Sequence, residues 1–354
     1  MELIADAFLN REWSAAELTE AMNIIPNNYG LVTQLGIFPE PVALGTTYVS
    51  IERQNWSLNL LPMTTRGAPG TRGSVGKRDR ITFEIPQVTH EDAVTVADIQ
   101  NLAYFNRMMP KMVEDKVNEK LVTMAMKHQI THEWYRVNAL QGKILDADGT
   151  VVVNYFTAFG ITQKVAAFDF AGSPNVARKL RAIKRAFEND ARGETMTGVA
   201  CIASPEFMES MFADTEVKKV HDAAMSAHML MVAMNPTLKD RRFSFTYQDV
   251  TFIEYSGSAN AVDATGTYTN RRFVPAGEAI FFPLGTTESA RQYVAPGDFL
   301  EAANLPGRLY YAKQEPMKHG RGLEFLTQSN LLVMWRRPDL LCRGVSGNSG
   351  DTVG

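Results

Sequence analysis

The sequence predicts an α+β fold organised around one unusually long helix. Helical and strand-like segments both occur, but they do not alternate in the regular order of a parallel-sheet protein. An extended region and a long hairpin are predicted before the helix, and both are too long to pack on one small core. The chain has 354 residues, which is enough for two or three sub-domains with cores of their own.

The central helix is predicted to run from Pro110 to about Gln141 and to stop at Gly142. Proline is tolerated at the first helical position, and glycine commonly follows the last one. A helix of that length spans about 48 Å, well beyond the usual three or four turns. A shorter helix over 97–108 is predicted to precede it.

The two halves of this helix differ in pattern. In the first half, an apolar stripe is predicted to face the core: Val113, Val117, Leu121 and Met124. Acidic residues lie on its other faces: Glu114, Asp115 and Glu119. The second half is apolar on most sides and is predicted to be buried: Met124, Met126, Ile130, Trp134, Tyr135, Val137 and Leu140.

Composition excludes several classes of protein. Apolar residues make up 45% of the chain, an ordinary share for a globular protein. The net charge is −3 and the pI about 6.1, so the chain as a whole lacks the charge of a nucleic-acid binder. Two cysteines, Cys201 and Cys342, fit a reducing cytosol rather than a disulfide framework. The sequence predicts neither a signal peptide nor a membrane span.

An arm and a hairpin are predicted ahead of the helix. Residues 1–45 contain three prolines, and apart from a short helix ending near Asn23 we expect them to extend over another body. Strand-like stretches at Thr46–Leu61 and Arg80–Ile85 are expected to pair as a hairpin. The segment between them, 62–80, carries a glycine at every third position from 67 to 76 and five basic residues.

The remainder is predicted to be a mixed region. A short β-hairpin turns at Asp148-Gly149, and a Gly/Ser/Asn/Thr loop covers 256–270. The other predicted elements are helices over 172–192 and 205–222 and strands at Thr197–Ala203, Arg242–Tyr247, Val250–Tyr255, Glu278–Pro283 and within 308–343. The tail, 344–354, is predicted to be disordered.

Two histidine pairs come nearest to a metal site. His128 and His132 lie four residues apart, but HQITHE lacks the glutamate position of the H-E-x-x-H motif. His221 and His228 share a helical face without cysteine or carboxylate ligands at useful spacing. We interpret both pairs as packed or rim histidines. The segment GTRGSVGKR also lacks two positions of a phosphate-binding loop. The sequence therefore predicts no catalytic, metal or cofactor site.

The basic hairpin tip is the strongest candidate site. Its residues are Arg66, Gly67, Gly70, Arg72, Gly73, Gly76, Lys77, Arg78 and Arg80. A solvated loop is the simplest interpretation, and a nucleic-acid groove would require interleaved aromatic residues, which the tip lacks. We favour an adaptable tip that is mobile in an isolated subunit and ordered against an acidic surface on another copy of the chain. The candidate acidic partners are Glu91, Asp92, Glu114, Asp115 and Glu119.

The order of these parts resembles the major capsid protein E family of lambda-like tailed bacteriophages, which has the Hong Kong 97 capsid fold. Nearly the whole chain takes part in the resemblance. Its most specific segments are Ala139–Val153, ALQGKILDADGTVVV, and Glu324–Leu341, which contains EFLTQSNLLVMW and RPDLL. The acidic EDAVTVADIQNL before the helix also fits.

The resemblance implies a division of the chain. The parts are an N-terminal arm (1–45), an E-loop hairpin (46–92), a P-domain with the spine helix (93–165), an A-domain (166–304) and a return to the P-domain with a C-terminal tail (305–354).

The resemblance also implies a function. Such a protein is a non-enzymatic major head protein, without a cofactor or membrane association, that self-assembles as hexamers and pentamers. The resulting icosahedral shell encloses double-stranded DNA in the virion and is assembled in the bacterial host cytoplasm. Implied partners are a separate scaffolding protein, a portal and a decoration protein. An encapsulin-type protein compartment is the alternative within the fold, and a metal-dependent hydrolase using the histidines is the alternative from another class.

Overall fold

The computed structural model of the protein describes residues 15–24, 30–54, 78–100, 109–170, 175–191, 194–223, 244–262, 268–347 and 350–353. Within these ranges a long helix packs on a small antiparallel sheet along its first half and enters the core beside a larger mixed sheet along its second half. The prediction of a mixed helix and sheet fold is confirmed.

The helices of the described residues are α1 (Ala15–Ile24), α2 (Leu31–Gln34), α3 (Val96–Gln100), α4 (Met109–Leu140), α5 (Tyr155–Phe159), α6 (Val176–Ala191), α7 (Pro205–Met211) and α8 (215–223). Three short 3-10 turns lie at Leu300–Ala302, Lys318–Gly320 and Pro338–Leu340.

The strands up to the middle of the chain are β1 (Val42–Ala43), β2 (Tyr48–Gln54), β3 (Arg78–Glu84), β4 (Val88–Thr95), β5 (Lys143–Leu145), β6 (Val151–Asn154), β7 (Lys164–Phe168), β8 (Gly198–Ala203) and β9 (Ser244–Tyr247). The later strands are β10 (Val250–Glu254), β11 (Ser258–Val262), β12 (Tyr268–Arg272), β13 (Glu278–Leu284), β14 (Ala290–Val294), β15 (Tyr311–Pro316), β16 (Gly322–Ser329), β17 (Leu331–Trp335) and β18 (Cys342–Ser346).

Six strands form the largest sheet, in the order β7-β18-β13-β8-β10-β9. Strand β8 pairs in parallel with β10 and antiparallel with β13, so Cys201 lies between Phe252 and Phe281 in register. That face of the sheet packs under α6 and α7. The residues of the opposite face, such as Ile202 and Phe282, join the core that contains the end of α4. The sheet is therefore covered on both faces.

A three-stranded antiparallel sheet, β15-β16-β4, covers the first half of α4. Helix α1 closes this small core: Leu18 is 3% exposed and Met22 fully buried. Thr19 exchanges hydrogen bonds with the backbone of Ala312, at 3.4 Å and 3.1 Å. The expectation that residues 1–45 extend over another body is therefore wrong for α1, which packs on the core of its own subunit. Farther along, Leu31, Val32 and Phe38 are also buried in the main core.

The predicted central elements agree with the structure. Helix α4 begins one residue before Pro110 and ends one residue before Gln141. Gly142 has a φ of +80°, and a Cβ there would come within 2.2 Å of the Phe156 ring, so glycine is required at this position. Strands β2 and β3 pair antiparallel as predicted, and β5 and β6 flank the Asp148-Gly149 turn. The predicted helix over 97–108 is seen as α3, and its later residues lie outside the described ranges.

The predicted loop over 256–270 is wrong, because β11 and β12 form a hairpin there. Its small polar residues have low strand propensity, but cross-strand contacts outweigh that propensity. Asn270 donates to the side chain of Asn260 at 3.1 Å, and Ala259 packs against the core. The single helix predicted over 205–222 is likewise interrupted, at residues 212–214, between α7 and α8.

The disordered tail predicted over 344–354 is also wrong for the residues described. Gly344 lies within β18, where a Cβ would meet the Phe281 ring at 2.7 Å, so close packing explains this glycine. Thr352 then docks beside β7, donating from its amide to the Val165 carbonyl at 2.8 Å and accepting from the Val165 amide at 2.7 Å. Asp351 forms an ion pair with Lys179.

Candidate assembly surface

The first half of α4 presents an acidic outer face, as predicted. Val117, Leu121 and Met124 are buried against the small sheet, which turns Asp115 and Glu119 to solvent. Glu119 forms an ion pair with Lys116 of the same helix. The backbone of Glu114 belongs to this helix, and its side chain lies outside the described part of the structure. Asp115 is exposed and makes no ion pair with any described residue.

The two adjacent acids of β4 point in opposite directions because side chains alternate along a strand. Asp92 faces α4, where Lys120 Nζ lies 3.0 and 3.1 Å from its two carboxylate oxygens. Burial alone would raise the pKa of Asp92, but hydrogen bonds from Lys120 and the Ala93 amide outweigh it and lower that pKa. Glu91 lies on the outer face of the sheet and is exposed. Of this pair, Glu91 is the one available to another molecule.

The base of the predicted E-loop hairpin is anchored in the subunit's own core. Ile51, Phe83 and Val49 are buried, and the Ser50 and Thr82 hydroxyls lie 3.1 Å apart across the strands. Arg80 is exposed opposite Glu52 in register, and Arg78 is described only by its backbone. The other tip residues lie outside the described ranges: Arg66, Gly67, Gly70, Arg72, Gly73, Gly76 and Lys77.

His128 and His132 are buried against β16, which agrees with their interpretation as packed histidines. The Thr327 hydroxyl donates to the His90 carbonyl, and the Ser329 hydroxyl donates to the Leu309 carbonyl. Each hydroxyl must therefore accept a hydrogen bond from histidine Nε2: His128 to Thr327 at 3.0 Å and His132 to Ser329 at 2.7 Å.

Both of these histidines are held in the neutral form. Burial lowers the pKa of His128 to about 4 and places the pKa of His132 well below its usual range. The ring of Tyr310 stacks on His132 with 5.4 Å between centroids. Across the described residues, no group of three or more His, Cys, Asp or Glu is arranged to share a metal ion. His221 lies beside Asp222, and His228 is outside the described ranges.

A buried polar network on the second half of α4 was not foreseen from the sequence. Glu133 accepts from the amides of Val32 and Thr33, at 2.7 and 3.1 Å, and from the hydroxyl of Tyr255 at 3.1 Å. It thereby satisfies the free amides at the start of α2. The sequence signal was a pair of charged residues, Glu133 and Arg136, on a half of the helix that was predicted to be buried.

Arg136 extends this network to the main core. Its guanidinium donates to the hydroxyl of Thr33 at 2.8 Å and to the side chain of Gln292 at 3.1 Å. Gln292 in turn donates to the carbonyl of Pro39 at 2.7 Å. Burial lowers the pKa of Arg136, and the charge of Glu133 opposes that shift. The network fixes residues 30–39 to the helix and to β14.

Comparison with known proteins identifies the family. The sequence profile of the family described as phage major capsid protein E matches residues 14–346. The chain belongs to the phage major capsid protein E family. The resemblance predicted from the sequence is therefore confirmed, and the protein is a structural component of a phage capsid.

Two major capsid proteins are similar to this capsid protein over nearly their full lengths. The one from Pseudomonas phage KPP10 is 28% identical over 346 residues, which cover 95% of this chain and 97% of that protein. The one from Salmonella phage Felix O1 is 24% identical over 353 residues, which cover 92% and 94% of the two chains.

Solved structures support the fold of the capsid protein. The crystal structure described as that of a prophage capsid protein from E. coli CFT073 superposes with a TM-score of 0.56 at 12% identity, covering 95% of this chain and all of the other. A phage-related protein from Bordetella bronchiseptica RB50 gives a TM-score of 0.50 at 8% identity, with 96% and 99% covered. The predicted Hong Kong 97 fold is confirmed. No described helix of this capsid protein combines the length and apolarity needed to cross a membrane.

Proposed function

We propose that this capsid protein assembles as hexamers and pentamers into an icosahedral shell that encloses double-stranded DNA, without catalysing a reaction. The observation that carries the proposal is the family match over residues 14–346. We further propose assembly in the bacterial host cytoplasm, with a scaffolding protein, a portal and a decoration protein as partners. A closed shell requires each subunit to repeat the same contacts under symmetry.

The elements described above can be assigned to the proposed domains. Helix α4 is proposed as the spine of the P-domain (93–165, with the return of 305–354), the six-stranded sheet as the core of the A-domain (166–304), and β2 and β3 as the base of the E-loop (46–92). Strands β7 and β18 pair with each other within that sheet. Strand β18 comes from the returning segment 305–354, so that segment contributes a strand to the sheet proposed as the core of the A-domain.

We propose that the basic E-loop tip contacts the acidic outer face of a neighbouring subunit. Asp92 and Glu119 already have cations of their own chain, Lys120 and Lys116. This supports Glu91 and Asp115 as the residues that receive the tip, because both are exposed and form no ion pair with a described residue. One exposed ion pair contributes only about 0–1 kcal/mol, but a shell repeats it in every subunit.

A charge swap tests this contact. Arg72→Glu, Lys77→Glu and Arg78→Glu together should abolish shells while circular dichroism stays unchanged, and Glu91→Lys with Asp115→Lys should partly restore assembly. The control reverses three exposed cations elsewhere, Arg308, Lys318 and Arg321, and changes the net charge equally. Intact shells from the tip variant would show that the tip is only a solvated loop. Unfolded subunits would place it in the core.

Electron microscopy of purified particles separates the alternatives for the whole protein. Shells that contain DNA support the proposed function, and shells that contain a cargo enzyme would favour an encapsulin-type compartment. Small oligomers would favour the hydrolase if the wild type binds stoichiometric zinc and the His128→Gln, His132→Gln variant does not. The buried, hydroxyl-bonded positions of these two histidines argue against that outcome.

A further inference from the structure

Helix α6 has two faces of opposite character. Its apolar side chains recur at helical spacing and are buried on the six-stranded sheet: Val176, Leu180, Ile183, Phe187 and Ala191. The sequence between them is rich in arginine and lysine. The helix therefore turns a largely basic face away from the sheet, and Glu188 at its carboxyl-terminal end is the exposed acid on that side.

The cations of α6 divide into two sets. Lys179 pairs with Asp351, and Lys184 pairs with Asp249 at 2.9 Å, so both lysines are neutralised within the subunit. The exposed arginines are Arg178, Arg181 and Arg185. Arg181 Nε donates to the Ala177 carbonyl of its own helix at 3.2 Å. None of the three forms an ion pair with a carboxylate of the described residues.

The spacing of these arginines makes a compact row of charge. Steps of three and four residues place all three on one side of the helix, over about 10 Å along its axis. Like charges four residues apart, as Arg181 and Arg185 are, destabilise an isolated helix. The arrangement is therefore unfavourable until an anionic partner neutralises it.

The chemistry of this face favours a phosphate backbone over a protein. Protein interfaces have an apolar centre from which charged residues are depleted. Helix α6 contributes none of the large apolar side chains that are exposed among the described residues. Arginine binds phosphate oxygens in a bidentate manner, and a span of about 10 Å equals the rise of about three base pairs of duplex DNA. A local basic face can act in this way although the whole chain has a net charge of −3.

We propose that the exposed face of α6, formed by Arg178, Arg181 and Arg185, binds the phosphate backbone of double-stranded DNA without regard to sequence. The inference rests on the proposed function, because an enclosed genome is what would supply the duplex. It adds that this side of the six-stranded sheet lines the interior of the shell.

Fluorescence anisotropy with a labelled 30-base-pair duplex tests binding directly. Purified subunits carrying Arg178→Gln, Arg181→Gln and Arg185→Gln should lose at least tenfold in affinity at low salt. The slope of log affinity against log salt should fall by about 2.7, because about 0.9 is lost per phosphate contact. The control, Arg308→Gln with Lys318→Gln and Arg321→Gln, removes equal charge elsewhere and should bind as the wild type does. Equal binding by the α6 variant and the wild type, or no binding by either, overturns the inference.

An assembly assay on the same variant distinguishes the DNA-binding inference from the proposal that the protein forms a shell. Shells that form at normal yield but bind less DNA are the expected result. Failed assembly with unchanged DNA affinity would mean that the face contacts an acidic protein surface, either another copy of the chain or a scaffolding protein. A wild type that forms shells without affinity for the duplex would overturn the α6 inference and leave the shell proposal standing.

Orientation in the particle provides a second, independent test. The two native thiols, Cys201 and Cys342, are 0% and 2% exposed, so Arg181→Cys introduces a single accessible thiol among the described residues. A polyethylene-glycol maleimide too large to enter the shell should not modify intact particles of this variant. It should modify them after disassembly. Modification of intact particles would place the face on the outside and overturn the inference.

Discussion

The two halves of the spine helix α4 form one continuous element but are built in different ways. In the first half, an apolar stripe lies on the small sheet and charged residues face solvent. In the second half the buried side chains include a run of polar residues: His128, Gln129, His132, Glu133, Arg136 and Asn138. The first half uses non-directional apolar packing, whereas the second uses directional hydrogen bonds.

This difference shows which half of the helix fixes the positions of the elements packed around it. Apolar packing tolerates shifts of its partner, but the buried Glu133 carboxylate does not, because it accepts a fourth hydrogen bond from the Thr33 hydroxyl besides the three described above. The second half therefore fixes the positions of α2, β14 and β16 relative to the helix, through Glu133, Arg136 and the two histidines. We expect substitutions in the second half to shift these elements relative to the helix. Substitutions in the first half should affect mainly the stability of the helix itself.

Breaking the first half should have the largest effect. Val117 is 2% exposed and lies inside the helix. Val117→Pro should cost about 3 kcal/mol for the proline and about 1–2 kcal/mol more for lost packing, which is a large fraction of a domain's stability. Little folded, soluble subunit should be recovered, as measured by circular dichroism and sedimentation. A normal yield of particles from this variant would contradict the assignment of a continuous helix.

Glu133→Ala tests the polar network with a closely matched control. The variant leaves the donors of Val32, Thr33 and Tyr255 without an acceptor and Arg136 buried without its counter-charge, which should cost about 3 kcal/mol or more. Glu119→Ala removes the same side chain from the exposed first half and should change stability by less than about 0.5 kcal/mol. Urea unfolding of both variants measures the difference. Equal midpoints would show that the network contributes little.

The two buried histidines make the contribution of the second half to stability depend on pH. Because the pKa of folded His128 is about 4, against 6.5 when unfolded, the unfolded chain binds more protons between these values. Stability present above pH 6.5 should therefore fall as the pH is lowered towards 4, by roughly 3 kcal/mol from His128. His132 acts in the same direction.

Urea midpoints at pH 7, 6 and 5 measure this dependence. Replacing both histidines in the His128→Gln, His132→Gln variant should flatten it, and Glu119→Ala should leave it unchanged. An identical loss of stability with pH in the wild type and the double variant would assign the dependence to other groups.

Local patterns account for what the sequence could predict. The apolar stripe of α4, the Asp148-Gly149 turn and the β2–β3 hairpin depend on neighbouring residues, and all three were predicted. The hairpin β11–β12 and strand β18 were missed because their glycines and small polar residues are explained only by distant contacts, such as that of Gly344 with Phe281.

At the candidate site, too, local patterns could be predicted from the sequence and contacts between distant residues could not. Sequence placed Asp115 and Glu119 on exposed faces of the helix, but it could not separate exposed Glu91 from Asp92, which Lys120 neutralises from a different element. The exposed position of Met126, 54% accessible, was likewise missed, because an apolar residue was assumed to be buried. The basic tip lies outside the described residues, so its contact stays a prediction.

The docking of Thr352 beside β7 bears on non-native strand addition between subunits. Strand β7 is the last strand of its sheet, and an open edge offers free amides and carbonyls as a template for any extended chain. Thr352 bonds both the amide and the carbonyl of Val165 at that edge. The carboxyl-terminal residues thus occupy part of this edge, and fewer free backbone groups are left there for the addition of a foreign strand.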